Sequence, residues 1–173
     1  MSTVAVRRKA ERLLKECKLA RLPVPVEEIA LHLGLRLVYE DLGPDVSGLL
    51  VTKPDETLIC IQRSDAPVRR RFTIAHEIAH HYLAHQFEAG SHVHVDRGNF
   101  ISQRGPQAST GMNRIEVEAN QFAASLLMPE QLLRDATLEI GEPLTDDKVQ
   151  ALAKMFKVSE QAMTIRLSVL ELL

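Results

Sequence analysis

The feature that most constrains this chain is a pair of histidines, His76 and His80, with Glu77 directly after the first of them. On an α-helix, residues four positions apart lie one turn apart on the same face. Both imidazoles can therefore bind one cation, and the neighbouring carboxylate can accept a proton from a water molecule. This H-E-x-x-H spacing predicts a helix that carries one catalytic Zn²⁺ per chain, with Glu77 as the catalytic base.

The residues around the motif favour a helix with one buried face. Apolar side chains recur there at helical spacing; they are Ile74, Ala75, Ile78, Ala79 and Leu83. The pattern predicts a helix from about residue 67 to residue 85. The alternative is an amphipathic helix whose histidines only line a solvated face. His81 and His85 lie away from the His76–His80 stripe, and we predict that they are structural or exposed to solvent.

A catalytic zinc site needs a third protein ligand, which the motif does not contain. In one class of zinc peptidase a histidine six residues after the second motif histidine supplies it, but Gln86 stands there. The segment 115–120 offers Glu116 and Glu118, which lie about 200° apart on a helix and cannot both face one metal. We predict that Glu116 is the ligand, because Asn120, one turn later, can hydrogen-bond a ligand histidine. Glu118 is then predicted to be a solvated surface residue.

Composition excludes several other classes of protein. The 173 residues carry a net charge of −2, which favours neither nucleic acid nor a membrane surface as a partner. No stretch is long and apolar enough for a transmembrane helix, and residues 1–10 are not followed by the apolar core of a signal peptide. The two cysteines, Cys17 and Cys60, do not form a C-x-x-C pair, so a zinc ribbon is excluded. We expect a cytoplasmic protein that does not bind DNA or membranes directly.

The remaining patterns predict a single α+β domain over residues 1–173. Two helices within residues 1–34 precede a small sheet at 35–62, helices that carry the site follow at 65–128, and further helices occupy 129–173. Three short runs between turn residues predict strands; they cover residues 35–39, 47–52 and 57–61. Because the turns are tight, we expect a three-stranded antiparallel sheet packed on a mostly helical domain.

Residues 86–112 are the least regular part of the sequence. Alternation from Ser91 to Val95 allows a hairpin, and the length of the connection favours a lip over the site that helps to select a substrate. A group that stabilises the oxyanion is also expected beside the metal. The candidates are four side chains that can donate a hydrogen bond, namely His92, His94, Tyr82 and Tyr39, and the sequence does not distinguish among them.

Three segments carry a resemblance to a known family. They are residues 23–30 (PVPVEEIA), 71–80 (RFTIAHEIAH) and 116–129 (EVEANQFAASLLMP). With these segments the chain resembles the ImmA/IrrE family of metallopeptidases over most of its length. The resemblance implies a minimal thermolysin-like zincin fold. It also implies that His76, His80 and Glu116 are the zinc ligands and that Glu77 is the catalytic residue.

The resemblance further implies a biological role. Characterised members of this family cleave helix-turn-helix transcriptional repressors in bacterial stress responses or mobile-element induction, so site-specific endopeptidase cleavage of such a repressor is the expected reaction. The substrate is expected to lie extended along an edge of the sheet, at the strand Ser47–Thr52. One alternative is a protein of the same fold that binds a repressor without cleaving it, or acts in a toxin–antitoxin pair. Another is a zinc hydrolase that does not act on peptides.

Overall fold

A computed structural model of the chain describes residues 1–85, 93–96 and 111–173. Helices and strands follow one another in the order α1 (Thr3–Cys17), α2 (Val26–His32), β1 (Leu35–Glu40), β2 (Gly48–Thr52), β3 (Thr57–Gln62), α3 (Pro67–Tyr82), β4 (Val93–Asp96), α4 (Gly111–Leu127), α5 (Glu130–Ile140), α6 (Asp146–Phe156) and α7 (Glu160–Val169). None of the helices in these described residues is long and apolar enough to cross a membrane.

The sheet in the described residues has four strands and mixed pairing. Its order is β1-β3-β2-β4. β2 pairs antiparallel with both β3 and β4, whereas β1 pairs parallel with β3. The prediction of three antiparallel strands was therefore wrong. The predicted edge for substrate, Ser47–Thr52, was wrong as well, because β2 lies between two strands and β4 is the outer strand on that side.

The wrong pairing came from assuming that consecutive strands are neighbours. The connection at residues 41–47 can span roughly 20 Å when it is extended, whereas skipping one strand of a sheet requires only about 10 Å. β1 can therefore lie beyond β3 instead of beside β2. Local patterns of residues locate a strand in the sequence, but they do not specify which strand it pairs with.

α3 is the most deeply buried helix of the site region, and it contacts α2, α4, β2 and β3. Pro67 lies in its first turn, where a missing N–H and a fixed φ suit a helix. Every residue from Thr73 to His80 is buried. A helix buried on all sides must find partners for its polar side chains inside the protein, because water does not reach them.

Arg71 ties α3 to two other parts of the chain. Its guanidinium donates from Nη2 to the Val24 carbonyl at 2.8 Å and from Nε to the Lys157 carbonyl at 3.3 Å. Its Nη1 also lies 4.0 Å from the Glu27 carboxylate, and the residue is only 9% exposed. The side chain thus fastens the entry to α2 and the end of α6 onto the start of α3.

Replacing Arg71 by methionine should lower the free energy of unfolding by about 2–3 kcal/mol, because buried carbonyls would lose charged donors. Urea denaturation measures the change. The matched control is Arg70→Met, because Arg70 makes a long, exposed bond to the Arg63 carbonyl and a cation–π contact with Tyr39. That control should cost less than about 1 kcal/mol. Equal losses in the two variants would contradict the role given to Arg71.

Candidate metal centre

Three polar side chains from α3 and α4 converge on one point. The Nε2 atoms of His76 and His80 are 3.0 Å apart. A Glu116 carboxylate oxygen lies 3.3 Å from the first of these nitrogens, and the other oxygen lies 3.5 Å from the second. All three donors lie within 4.8 Å of one another, and both histidines are 1% exposed.

The spacing of these donors fits a divalent cation. Ligand atoms about 2.0–2.2 Å from one ion in a tetrahedral arrangement are roughly 3.3 Å from one another. The observed separations of 3.0, 3.3 and 3.5 Å lie around that value. Two imidazoles and one carboxylate also form a donor set used by catalytic zinc sites, which leave a further position for water or substrate. The residues therefore fit zinc by both chemistry and distance.

His76 is oriented from its other ring nitrogen. Its Nδ1 lies 3.0 Å from Oδ1 of Asn120, which is one turn beyond Glu116 on α4. Burial lowers the pKa of His76, but the hydrogen bond with Glu116 and the charges of Glu77 and Asp96 outweigh burial, so the pKa is raised. Protons and metal ions compete for the same nitrogen, so these negative surroundings also favour a bound cation.

Glu77 is fully buried next to the ligand pair, and β2 passes directly over it. A Cβ atom added to Gly48, the first residue of β2, would lie 3.3 Å from Oε1 of Glu77 and 2.4 Å from Cγ2 of Thr73. Only glycine permits this close approach of strand and helix. Sequence reasoning did not single out Gly48, because one glycine near a turn does not reveal what it faces.

A second residue that the sequence did not single out is Asp96, at the end of β4. It is 6% exposed, and its backbone oxygen accepts the Ser47 N–H at 2.9 Å. Its charge raises the pKa of His76 and opposes the effect of burial on Arg69. Asp96 therefore links the outer strand to the metal centre electrostatically. No motif marks it in the sequence, since it only ends an alternating run.

His85 and Glu118 lie close to the site, contrary to the prediction of solvent exposure for Glu118. Nδ1 of His85 is 3.0 Å from Nδ1 of His80, and Nε2 of His85 is 3.4 Å from a Glu118 oxygen. Glu118 is 6% exposed and contacts Arg114 and the N-terminal amino group. Burial raises the pKa of Glu118, but these partners and His85 outweigh it and lower the pKa. Helical periodicity correctly separated Glu118 from Glu116, but it could not show that α1 and the end of α3 cover that side of α4.

His81, the other histidine near the end of α3, is exposed.

The four candidates for stabilising the oxyanion lie in different parts of the structure. The Tyr82 hydroxyl donates to Glu16 on α1 at 3.1 Å, so that side chain is engaged away from the ligand pair. Tyr39 belongs to β1, which lies at the opposite edge of the described sheet from β4, and the Arg70 guanidinium lies 5.8 Å from its ring centre. His94 belongs to β4, where its backbone pairs with Leu50. His92 and most of the predicted lip lie outside the described residues.

Comparison with known proteins places this arrangement in a family context. The IrrE N-terminal-like domain family, a peptidase family, matches residues 30–168. Two relatives, each named radiation response metalloprotease IrrE, are 32% identical over 106 residues in Deinococcus radiodurans and 34% identical over 89 residues in Deinococcus deserti. The matches cover 61% and 51% of this chain but 29% and 28% of the relatives, so the chain spans under a third of their length.

One solved structure shows the same fold. It is a Mycobacterium tuberculosis transcriptional regulator, which superposes on this chain with a TM-score of 0.59 and 21% sequence identity. The superposition covers 95% of this chain and 46% of the regulator. At this level of identity the likeness extends to the fold alone.

The close approach at Gly48 generates a stability prediction with a built-in rescue. Gly48→Ala should destabilise the protein by about 1–3 kcal/mol, because the new methyl group would overlap Cγ2 of Thr73. Thr73→Ser removes that methyl group, so the double variant should regain most of the loss. Thermal and urea unfolding of the four proteins gives the coupling energy. Simple additivity of the two changes would contradict this explanation.

Proposed function

Because this chain belongs to the IrrE N-terminal-like domain family, we propose that it is a zinc-dependent endopeptidase that cleaves a helix-turn-helix transcriptional repressor. The observation that carries the proposal is the convergence of His76, His80 and Glu116 beside the buried carboxylate of Glu77. Such a set is needed for hydrolysis at a metal and has no evident purpose in a protein that only binds.

A zinc ion held by the three donors would supply Lewis-acid chemistry, activating a water molecule and polarising the scissile carbonyl. Glu77 accepts the proton of the attacking water and transfers it to the leaving amine. Its position one residue after His76 places its carboxylate about 100° around the helix from that ligand, at the side of the pair. Asn120 orients His76: an amide oxygen only accepts, so Nδ1 donates and Nε2 presents its lone pair to the metal.

The exposed outer strand of the sheet favours a protein as the substrate. β4 is the outer strand of the described sheet on the side of β2, and Val93 and Val95 are each 42% exposed on it. An extended peptide can add to such an edge through main-chain hydrogen bonds, with alternate side chains in contact with the strand. Asp96, which ends the strand, pairs with Gly48, and the backbone of Gly48 lies against Glu77. A peptide bound along β4 would therefore run beside the metal centre.

The proposal also extends beyond the site itself. We propose that the substrate is a repressor, that the protein acts in a stress response, and that it acts in the cytoplasm. Both relatives are named as radiation response metalloproteases, which supports a role in a bacterial stress response. Repressors act where the chromosome is, so the cytoplasm is the compartment in which the enzyme and this substrate meet. A substrate folded as a helix-turn-helix protein would have to offer an extended segment to the strand edge.

The proposal is tested by incubating the zinc-loaded protein with the helix-turn-helix repressor encoded nearest to its gene. Intact-mass spectrometry should reveal two fragments from one cleavage site. Glu77→Gln should bind zinc with unchanged stoichiometry but cleave about 10²–10⁴-fold more slowly, because a carboxamide cannot accept the proton. Glu116→Ala should lose zinc. Near-normal cleavage by Glu77→Gln would remove this residue from the mechanism.

Two controls separate cleavage from binding. Chelation should stop cleavage and added Zn²⁺ should restore it, whereas a contaminating serine or cysteine protease would be unaffected. If the wild-type protein forms a stable complex with the repressor and leaves its mass unchanged, the function is sequestration, and the proposal of an endopeptidase is wrong.

A further inference from the structure

We infer that His85 and Glu118 are positioning residues of the metal centre, which hold the His80 imidazole with Nε2 directed at the cation. The inference rests on the proposed metal site, but it does not depend on the identity of the substrate or on cleavage. It assigns a role to two side chains that helical periodicity had placed away from the site.

The two nitrogens of His80 face different groups. Nε2 lies among the metal donors, 3.0 Å from Nε2 of His76 and 3.5 Å from a Glu116 oxygen. Nδ1 lies 3.0 Å from Nδ1 of His85. Nε2 of His85 in turn lies 3.4 Å from the Glu118 carboxylate. A continuous chain of polar contacts therefore runs from the cation position through two imidazoles to one carboxylate.

Only one arrangement of protons lets this chain serve a metal. For Nε2 of His80 to present a lone pair, its proton must be on Nδ1, from which it is donated to His85. Nδ1 of His85 must then be unprotonated, so the proton of that ring is on Nε2. The carboxylate of Glu118, which can only accept, lies 3.4 Å from this nitrogen. A carboxylate at the far end thus selects the tautomer of both rings, as partners of ligand histidines do in other metal sites.

The end of α3 is shaped so that His85 returns to His80. The Ala84 N–H donates to the His81 carbonyl and the His85 N–H donates to the His80 carbonyl, each at 3.1 Å, which is the Schellman pattern. This pattern needs a left-handed residue, commonly glycine, and here Ala84 adopts a φ of 53°. Both cap bonds use the backbone alone. The imidazole of His85 is therefore not required for the helix end, and its 5% exposure reflects a separate placement against Glu118.

Both motif histidines are oriented from α4, by different means. Asn120 contacts His76 directly, whereas Glu118 contacts His80 through His85. Arg114, one turn before Glu118, donates to the same carboxylate at 3.0 Å and keeps it in place. α4 therefore provides the third ligand, Glu116, the group that orients His76 and the carboxylate beside His85.

The experiment measures Zn²⁺ affinity of the full chain by competition with a chromophoric chelator. His85→Ala and Glu118→Ala should each bind Zn²⁺ about 10–100-fold more weakly than wild type. His85→Asn and His85→Gln distinguish orientation from packing. The asparagine amide can present an acceptor near the position of Nδ1, so it should recover most of the affinity. The glutamine amide extends toward Glu118 and misses His80, so its affinity should stay low.

The matched control is His81→Ala, on the same helix turn but exposed, and its affinity should equal that of wild type. The visible spectrum of the Co²⁺-loaded protein gives a second readout, which should shift in His85→Ala and not in His81→Ala. If His85→Ala fails to fold, the comparison of asparagine with glutamine at position 85 and the Glu118→Ala variant still decide the question.

Three results would overturn the inference. Affinity within threefold of wild type in both His85→Ala and Glu118→Ala would show that the contacts do not position the ligand. Equal affinities for His85→Asn and His85→Gln would reduce the role of His85 to packing. Loss of zinc from Glu118→Ala as complete as from Glu116→Ala would make Glu118 a ligand. None of these measurements uses a substrate, so they stand apart from a failure to cleave a repressor, whereas a wild-type chain that binds no zinc would end both proposals.

Discussion

The contact between α3 and α4 is the constraint on which the candidate site depends, because the donors come from both helices. Each helix buries two alanines one turn apart, Ala75 and Ala79 on α3 and Ala119 and Ala123 on α4, all of them fully inaccessible. Small side chains permit a short distance between helix axes. If α3 and α4 were moved apart, the donors that they carry would no longer lie within 4.8 Å of one another.

Burying so many ionisable groups is costly unless each of them has a partner. Within little more than one turn α3 buries His76, Glu77 and His80 at 0–1% exposure. The fold supplies partners mainly from α4, whose side chains reach both histidines, and it covers Glu77 with the start of β2. Excluding water in this way strengthens the electrostatic interactions within the site. The same polar groups that would destabilise an ordinary core therefore stabilise a bound cation here.

The sequence predicted the parts of the site that follow from the period of one helix. The facing positions of His76 and His80, and the choice of Glu116 over Glu118, needed only the rotation per residue, and the structure brings these three side chains together. The burial of Glu118 could not be predicted in this way. It depends on which segments cover the other side of α4, and those segments are far from α4 in the sequence. The position of His85 depends on the left-handed conformation of Ala84 at the end of the helix. A glycine at that position would have indicated this conformation in the sequence, but an alanine does not.

The sheet shows the same limit at a larger scale. The three strands predicted from short runs between turn residues are all present, with boundaries within one residue. Their order depends on backbone pairing between distant segments, and such local runs do not report on that. The parallel pair β1–β3 and the position of β4 beside β2 therefore became visible only in the structure. The role of Gly48 was also visible only in the structure. Glycine is needed there because α3 approaches closely, not because of a turn in the local backbone.

In the proposed enzyme, the metal donors and the strand that would bind the peptide lie on different elements of the chain. The donors lie on α3 and α4, two helices held by their buried faces, whereas β4 lies in the connection between them. Connections tolerate changes of sequence better than packed helices do, so the peptide preference could change while the donor geometry is retained. β4 is nevertheless anchored, because it pairs with β2 and its Asp96 carbonyl accepts the Ser47 N–H next to Gly48. A peptide added to this strand would therefore be placed relative to Glu77 through β2, which contacts both the strand and the helix that carries this carboxylate.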